Sequence, residues 1–245
     1  MNKNVDSYSY ASIIEQHCSN CNLSSLCIAG ILENAEMPRL DTIMSHSKAL
    51  PKGEILSSQG DSFQFVFVVK TGSIKTYTTD VSGQEQITGF YFPGDLIGLN
   101  GISSGICPDF VETLETSTIC QSSFEQLDKF SAEHPKLRRK ILKVMSKDIC
   151  NEQHMLLVLA KKDAGQRLAT FLLSLSCRFK TRGFSESRFR LPMSRREIGS
   201  YLGLTVETVS RAMTRLHKNN IIVIDQKEVV ITDFAALVTL RDGSK

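Results

Sequence analysis

Capping, turn and apolar residues between positions 194 and 216 constrain the fold of this chain more than any other feature. Ser194 and Glu197 form a capping box, in which two side chains satisfy backbone N–H groups at the start of a helix. Gly203 can adopt the left-handed conformation that ends this helix, and Thr205 can cap a second one. This spacing predicts a helix-turn-helix, whose second helix can enter the major groove of DNA.

The second helix of this motif carries the candidate DNA-reading side chains. Glu207, Ser210 and Arg211 are spaced so that they share one helical face. Arginine can bind O6 and N7 of guanine, glutamate can accept from the amine of cytosine, and serine can contact several bases. A solvated ion pair between Glu207 and Arg211 is the alternative. The candidate DNA-binding residues are Thr205, Glu207, Thr208, Ser210 and Arg211.

The charge distribution also indicates a polyanionic partner for this end of the chain. Residues 161–245 contain 16 Lys and Arg against 8 Asp and Glu, which leaves 13 against 18 in the first 160 residues. A solvated basic face would explain the excess alone, but here the excess coincides with the helix-turn-helix. Two apolar runs, 221–224 and 229–231, flank a polar turn and predict the hairpin of a winged helix-turn-helix.

The glycines indicate a β-structure in the first half of the chain. Nine of the fifteen lie between Gly53 and Gly105, among alternating or aromatic-rich runs such as 63–69 and 73–78. Turn residues recur roughly every ten positions, which favours an antiparallel barrel or roll over a sheet of alternating strands and helices.

A long helical pattern follows Pro135, where the glycines stop. Its apolar residues recur at the spacing of a coiled-coil seam, which one carboxylate interrupts. So narrow a seam favours a dimer of two such helices over packing onto the chain's own β-structure. The candidate dimerisation residues are Leu142, Met145, Ile149, Glu152, Leu156 and Leu159.

Three cysteines within ten residues predict a site for a soft metal. Cys18, Cys21 and Cys27 can surround one metal centre, and Cys120 can complete a four-sulfur shell if a distant strand delivers it. Structural zinc and an iron–sulfur cluster both suit four thiolates, and a disulfide switch between Cys18 and Cys21 is a third alternative. The remaining cysteines are interpreted as buried or incidental thiols: Cys107, Cys150 and Cys177.

Several classes of protein do not fit the sequence. No apolar run approaches the roughly 18 residues of a membrane span and the N-terminus is polar, so a cytoplasmic protein is expected. Seven cysteines, an odd number, then argue for reduced thiols rather than disulfides. The sequence has no Gly-rich phosphate loop, His-Glu-x-x-His motif or nucleophile elbow, so no enzyme is predicted.

These features together resemble the CRP/FNR superfamily of bacterial transcription regulators. The resemblance extends over nearly the whole chain and is carried by the four cysteines and by segments 83–90, 93–98, 114–120 and 201–211. It implies an α+β fold with an antiparallel β-roll of the cyclic-nucleotide-binding kind. We expect a cysteine-rich cluster-binding segment at 1–30, the β-roll at 31–133, a dimerisation helix at 134–160 and the winged helix-turn-helix at 161–245.

The resemblance also implies an oxygen-responsive global regulator of anaerobic metabolism. A [4Fe–4S] cluster would be bound by Cys18, Cys21, Cys27 and Cys120, and oxygen would convert it toward [2Fe–2S] and apo forms, which weakens the homodimer. The loaded dimer would bind palindromes of TTGAT/ATCAA half-sites and activate or repress genes with RNA polymerase. The expected polymerase contacts are Gln84, Glu85, Thr116, Thr118, Phe184 and Ser185.

One departure argues against a cyclic-nucleotide ligand. Nucleotide-binding relatives have an arginine and a hydroxyl residue for the phosphate at the place where this chain reads 99–105, and no arginine occurs here between Arg39 and Arg138. A cyclic phosphate would lack its bidentate guanidinium partner. The β-roll is therefore expected to transmit a signal without binding cyclic AMP.

Overall fold

The computed structural model describes residues 18–23 and 25–243. Most of the predicted cluster-binding segment, residues 1–17, lies outside the described residues. The described helices are α1 (Met37–Ile43), α2 (Phe124–Glu133), α3 (Pro135–Lys161), α4 (Ala164–Thr181), α5 (Arg195–Leu202), α6 (Val206–Lys218) and α7 (Phe234–Asp242). The described strands are β1 (Ser45–His46), β2 (Ile55–Ser57), β3 (Phe65–Thr71), β4 (Ile74–Thr79), β5 (Glu85–Tyr91), β6 (Leu96–Ile97), β7 (Phe110–Thr113), β8 (Thr118–Ser123), β9 (Arg188–Arg190), β10 (Ile222–Asp225) and β11 (Glu228–Ile231).

The first eight strands form the predicted antiparallel β-roll. One sheet has the order β1-β8-β3-β6 and the other the order β2-β7-β4-β5. Side chains alternate along each strand, so one set from each sheet fills a shared core, to which β3 contributes Phe67 and Val69 and β8 contributes Ile119. The alternate side chains of these strands project from the outer faces of the roll, where they can pack against other elements. The antiparallel roll expected from the glycine-rich turns is confirmed.

The long helix α3 runs for 27 residues and has two different faces. Its inner face packs against the roll and the N-terminal segment through Leu137, which is fully buried, and Ile141. Among the predicted seam residues, Leu142, Ile149 and Leu156 are 58%, 54% and 67% exposed. Glu152 is exposed as well, whereas Met145 packs partly on the chain's own core and Leu159 is half-buried.

The C-terminal part has the predicted winged helix-turn-helix fold. The capping box of Ser194 and Glu197 begins α5, and Gly203 ends it in the left-handed conformation with φ +62°. Gly199 lies so close to the turn that an added Cβ would be 2.6 Å from the carbonyl oxygen of Leu204. The wing is a three-stranded sheet of order β10-β11-β9.

The DNA-binding part and the β-roll share an apolar core. The ring of Phe90 on β5 lies 5.2 Å from that of Tyr201 on α5 and 6.0 Å from that of Phe171 on α4. Such aromatic contacts contribute beyond their buried area. The helix-turn-helix is thereby held in a defined place on the roll. No helix in the described part of the chain combines the length and apolarity needed to cross a membrane.

Candidate metal centre and DNA-reading surface

All four predicted metal ligands line one small cavity of about 30 Å³. Cys18, Cys21 and Cys27 come from the loop that precedes α1, and Cys120 comes from the middle of β8. The other walls are largely apolar: Ile28, Ala29, Leu40 and Met44, together with His46 and Lys70. The distant strand that has to bring the fourth cysteine to the other three is thus β8.

Strand pairing explains how Cys120 reaches this cavity. β8 lies between β1 and β3, with Cys120 opposite His46 on one side and Val68 on the other. Its neighbour Ile119 points into the roll, so Cys120 points outward to the N-terminal loop.

The N-terminal loop is fixed over the cavity by specific contacts. The backbone N–H of Cys18 donates to Asp41 of α1 at 2.6 Å. Leu26 approaches the backbone at Gly94, where an added Cβ would be 2.8 Å away, and φ there is +91°. A side chain at position 94 would therefore push the loop away from the roll.

Burial dominates the chemistry of the thiols. It raises the pKa of Cys18, Cys27 and Cys120, the last to about 12, and the neighbouring sulfurs and Asp41 add to the effect at Cys18 and Cys120. The Lys70 and Lys140 ammonium groups act in the opposite direction on Cys120 and Cys27 respectively. Without a bound cation these thiols keep their protons at neutral pH, whereas a metal would displace them.

The donor set fits a thiolate-bound metal group. Within the described residues, no three His, Cys, Asp or Glu side chains converge on one point as the ligands of a single ion do. The four thiols instead surround a shared space. The other cysteines do not line it, and two of them, Cys150 and Cys177, are exposed rather than buried.

The second helix of the motif presents the predicted reading face to solvent. Thr205 caps α6 by accepting from the backbone N–H of Thr208, and Val209 is buried beneath it. Glu207 and Arg211 are exposed and Ser210 is half-exposed. The helix continues into a concave basic surface lined by Ser210, Arg211, Thr214, Arg215, Lys218 and Asn219. Arg215 and Lys218 are not among the residues predicted from the sequence, although they follow Arg211 at helical spacing.

The residues predicted to contact polymerase lie on three surface segments. Gln84 and Glu85 are at the β4–β5 turn, and the backbone carbonyl of Glu85 accepts from the Ser200 hydroxyl of α5 at 3.1 Å. Thr116 lies in the segment between β7 and β8, and Thr118 begins β8, where its hydroxyl bonds to the Thr71 hydroxyl at 2.8 Å. Phe184 and Ser185 lie exposed in the loop between α4 and β9.

A buried lysine, which was not predicted from the sequence, links the β-roll to the helix-turn-helix. The Lys75 side chain on β4 is 7% exposed, and its Nζ lies 3.3 Å from a carboxylate oxygen of Glu112 on β7 and 3.3 Å from one of Glu197 on α5. Burial opposes ionisation of Glu197, but hydrogen bonds from Ser194 and the Lys75 charge hold its pKa below the usual range. Glu85 on β5 also lies 3.9 Å from the Lys75 Nζ, so the members of this cluster come from four separate elements and no local signal marks it.

Two parts of the chain match known domain families. Residues 166–240 match the Crp-like helix-turn-helix domain, and residues 47–134 match the cyclic nucleotide-binding domain. Together they cover the winged part and the β-roll.

Full-length relatives are also similar to the chain. It is 46% identical to the transcriptional activator protein FnrA of Stutzerimonas stutzeri over 94% of each chain. It is 44% identical to the fumarate and nitrate reduction regulatory protein of Shigella dysenteriae, over 94% of this chain and 92% of that one. Among solved structures, FixK2 from Bradyrhizobium japonicum is similar with a TM-score of 0.74 and 30% identity, over 81% of this chain and 97% of that chain.

A β-roll of the cyclic nucleotide-binding kind, joined through a long helix to a Crp-like winged helix-turn-helix, defines a DNA-binding transcription regulator. The relatives that match over nearly their whole length are named as a transcriptional activator and a regulatory protein. The chain belongs to the CRP/FNR family.

Proposed function

We propose that this protein is an oxygen-responsive regulator of anaerobic metabolism that carries a [4Fe–4S] cluster on Cys18, Cys21, Cys27 and Cys120. The observation that supports the proposal most is the meeting of all four thiols at one apolar cavity, on the chain that carries the capped DNA-reading helix. Similarity to FnrA and to a fumarate and nitrate reduction regulatory protein supports the anaerobic role.

Four thiolates at one cavity could bind either a single zinc ion or an iron–sulfur cluster. Zinc holds four sulfurs at about 2.3 Å from one centre, whereas an iron–sulfur core separates its four outer ligands by its own bulk. The thiols here surround a common apolar space, and the similarity to FnrA and to a fumarate and nitrate reduction regulatory protein favours the cluster. When bound, the group would supply a redox centre sensitive to oxygen. The chain's own part is to provide four thiolates and apolar walls that exclude water.

A continuous set of contacts connects the cavity to the dimer helix. The 3₁₀ turn Ile28–Ile31 follows Cys27 directly, and its Ile28 and Ala29 are buried in the same core as Leu137 of α3. A surface ion pair of 3.0 Å between Lys136 and Glu33 reinforces this contact. Loss of the metal group would free the loop and withdraw this support from α3.

One arginine connects the C-terminal end of α3 to the helix-turn-helix. The Arg167 guanidinium donates to the carbonyl oxygens of Leu159 at 2.7 Å, Lys162 at 2.8 Å and Leu202 at 3.0 Å. These carbonyls belong to the end of α3, the α3–α4 link and the end of α5. A displacement of α3 would therefore reach the helix-turn-helix.

The exposed apolar stripe on α3 supports a homodimer. Leu142, Ile149 and Leu156 recur every seven residues and remain more than half exposed in one chain. Burying such a stripe against its symmetric copy removes apolar surface from water and makes a parallel coiled coil. The dimer would place its two helix-turn-helix motifs on the two halves of a palindrome of TTGAT half-sites.

Replacing Glu152 with alanine is expected to strengthen the dimer. Glu152 is exposed in the predicted seam, where symmetry would bring it near its own copy. The Glu152 carboxylate already acts on a neighbouring carboxyl group. The pKa of Asp148 is raised to about 6, mainly by burial and then by the negative charges of Asp95 and Glu152. Removing the carboxylate should favour the dimer by on the order of 1 kcal/mol, roughly fivefold in the dimerisation constant.

Sedimentation of the air-exposed protein checks the Glu152 prediction. The Glu152→Ala protein should form more dimer than the parent at the same concentration. Lys129→Ala, which removes an exposed charge from α2 outside the seam, serves as the control. A Glu152→Ala protein as monomeric as the parent would place the carboxylate outside the dimer contact.

Replacing Arg211 with alanine is expected to weaken binding to the specific site by about 1–3 kcal/mol, because a bidentate guanine contact is lost. Binding to scrambled DNA should change little. The measurement compares both DNAs at one fixed salt concentration. The control is Lys218→Ala, which should weaken both about equally because a lysine on phosphate carries no sequence information. Equal losses for Arg211→Ala on both DNAs would show that Arg211 also contacts only phosphate.

Anaerobic DNA binding tests the proposed function as a whole. The cluster-loaded protein should bind a TTGAT palindrome in preference to scrambled DNA, with no requirement for cyclic AMP, and should lose this preference after exposure to air. Preferential binding that depends on cyclic AMP, or that persists unchanged in air, would contradict the proposal. In cells we propose that the bound dimer activates or represses transcription through contacts with RNA polymerase.

A further inference from the structure

His46 contacts the sulfur of Cys120, and no part of the function described above uses it. Its Nδ1 lies 3.1 Å from Cys120 Sγ, within hydrogen-bonding distance for sulfur. His46 is half-buried and lines the four-thiol cavity. The contact joins residues 74 positions apart, so local sequence does not impose it.

Strand pairing holds the two side chains together. His46 and Cys120 are directly opposite in the antiparallel pair of β1 and β8, and opposite residues project on the same face. Ser47 fixes the register from the next position, because its hydroxyl accepts from the Ile119 N–H at 2.9 Å and its own N–H donates to the Ile119 carbonyl at 2.9 Å.

The chemistry of a metal-bound cysteine decides the direction of this hydrogen bond. A metal-bound thiolate has no proton, so its sulfur can only accept. Nδ1 must then carry the proton. Hydrogen bonds to cluster sulfurs are among the features that set the potential of such centres, because they withdraw electron density and stabilise the more reduced state.

We propose that His46 donates a hydrogen bond from Nδ1 to Cys120 Sγ and acts as a positioning residue that raises the reduction potential of the bound cluster and slows its loss to oxygen. The inference rests on the proposed function, since it requires a cluster on Cys120. In this proposal His46 does not bind iron. Cys120 is the one ligand supplied by the β-roll, so this hydrogen bond acts where the cluster joins the N-terminal loop to the roll.

A pair of similarly shaped substitutions separates the donor from the ring. His46→Leu removes the N–H, whereas His46→Asn keeps an amide N–H near the position of Nδ1. His217→Leu, at an exposed histidine on α6, is the control. Each protein is loaded anaerobically, and iron content, visible spectrum, midpoint potential and the rate of iron release in air are measured.

We expect His46→Leu to load as much iron as the parent but to release it in air about tenfold faster. If the one-electron reduction equilibrium of the cluster changes by the same factor, the midpoint potential of the His46→Leu protein falls by about 59 mV. His46→Asn should restore most of both values, which a merely structural role of the ring would not predict. His217→Leu should match the parent.

Three outcomes would overturn the inference. Unchanged potential and release rate in His46→Leu would show that the contact does not tune the cluster. Loss of iron binding in both His46 variants, like that of a missing cysteine, would make His46 a ligand instead of a donor. A parent protein that binds no iron would overturn the proposed function itself and this inference with it, which distinguishes that failure from the first two.

Discussion

Cys120→Ala is expected to abolish stable iron binding while leaving the protein folded. Cys120 is the only proposed ligand from the β-roll, and the other three lie in a loop of ten residues. A cluster left with three thiolates has one iron open to solvent and oxidant, and it loses its connection to the roll. Iron and sulfide per chain after anaerobic reconstitution measure the effect.

The chain provides matched controls for this substitution. Cys150 on α3 and Cys177 on α4 are exposed and do not line the cavity, so Cys150→Ala and Cys177→Ala should bind iron as the parent does. Thermal unfolding of the apo-proteins should show that Cys120→Ala remains folded. A Cys120→Ala protein that retains a full and air-stable complement of iron would contradict the assignment of the fourth ligand.

Lys75→Met is expected to destabilise the protein by about 3 kcal/mol, because removing one partner of a buried ion pair leaves charge without compensation. Lys75 is the shared partner of Glu112 and Glu197, whose side chains are only 17% and 16% exposed. Methionine has a similar shape, so the loss would reflect charge more than packing. Urea unfolding of the apo-protein at neutral pH gives the change in free energy.

An exposed lysine supplies the comparison for Lys75. Lys129 forms an ion pair with Glu125 on the surface of α2, and Lys129→Met should change stability by less than about 0.5 kcal/mol. Adding Glu112→Gln and Glu197→Gln to Lys75→Met should recover part of the loss, since the two least exposed carboxylates that Lys75 neutralises are then uncharged. A Lys75→Met protein as stable as the Lys129→Met protein would show that the cluster contributes no net stability between the domains.

Local signals in the sequence were sufficient for the helix-turn-helix. The capping box at Ser194, the left-handed Gly203 and the cap at Thr205 each act within four residues, so neighbours along the chain determine them. The β-roll was also predictable, because its glycine-rich turns are local.

Features that depend on long-range pairing were beyond the sequence. Spacing could group Cys18, Cys21 and Cys27, but the arrival of Cys120 depends on the position of β8 between β1 and β3. The contact of His46 with Cys120 arises from the same strand pairing. Periodicity left open whether Cys150 and Cys177 are buried or incidental thiols, and the structure places both at exposed positions on helices.

The content of iron and acid-labile sulfide in the anaerobically reconstituted protein distinguishes the proposed cluster from its alternatives. We expect four iron and four sulfide per chain, a brown protein, and loss of both iron and sulfide in air. One zinc per chain with no sulfide, or a protein that binds no metal and forms a disulfide between Cys18 and Cys21, would contradict it.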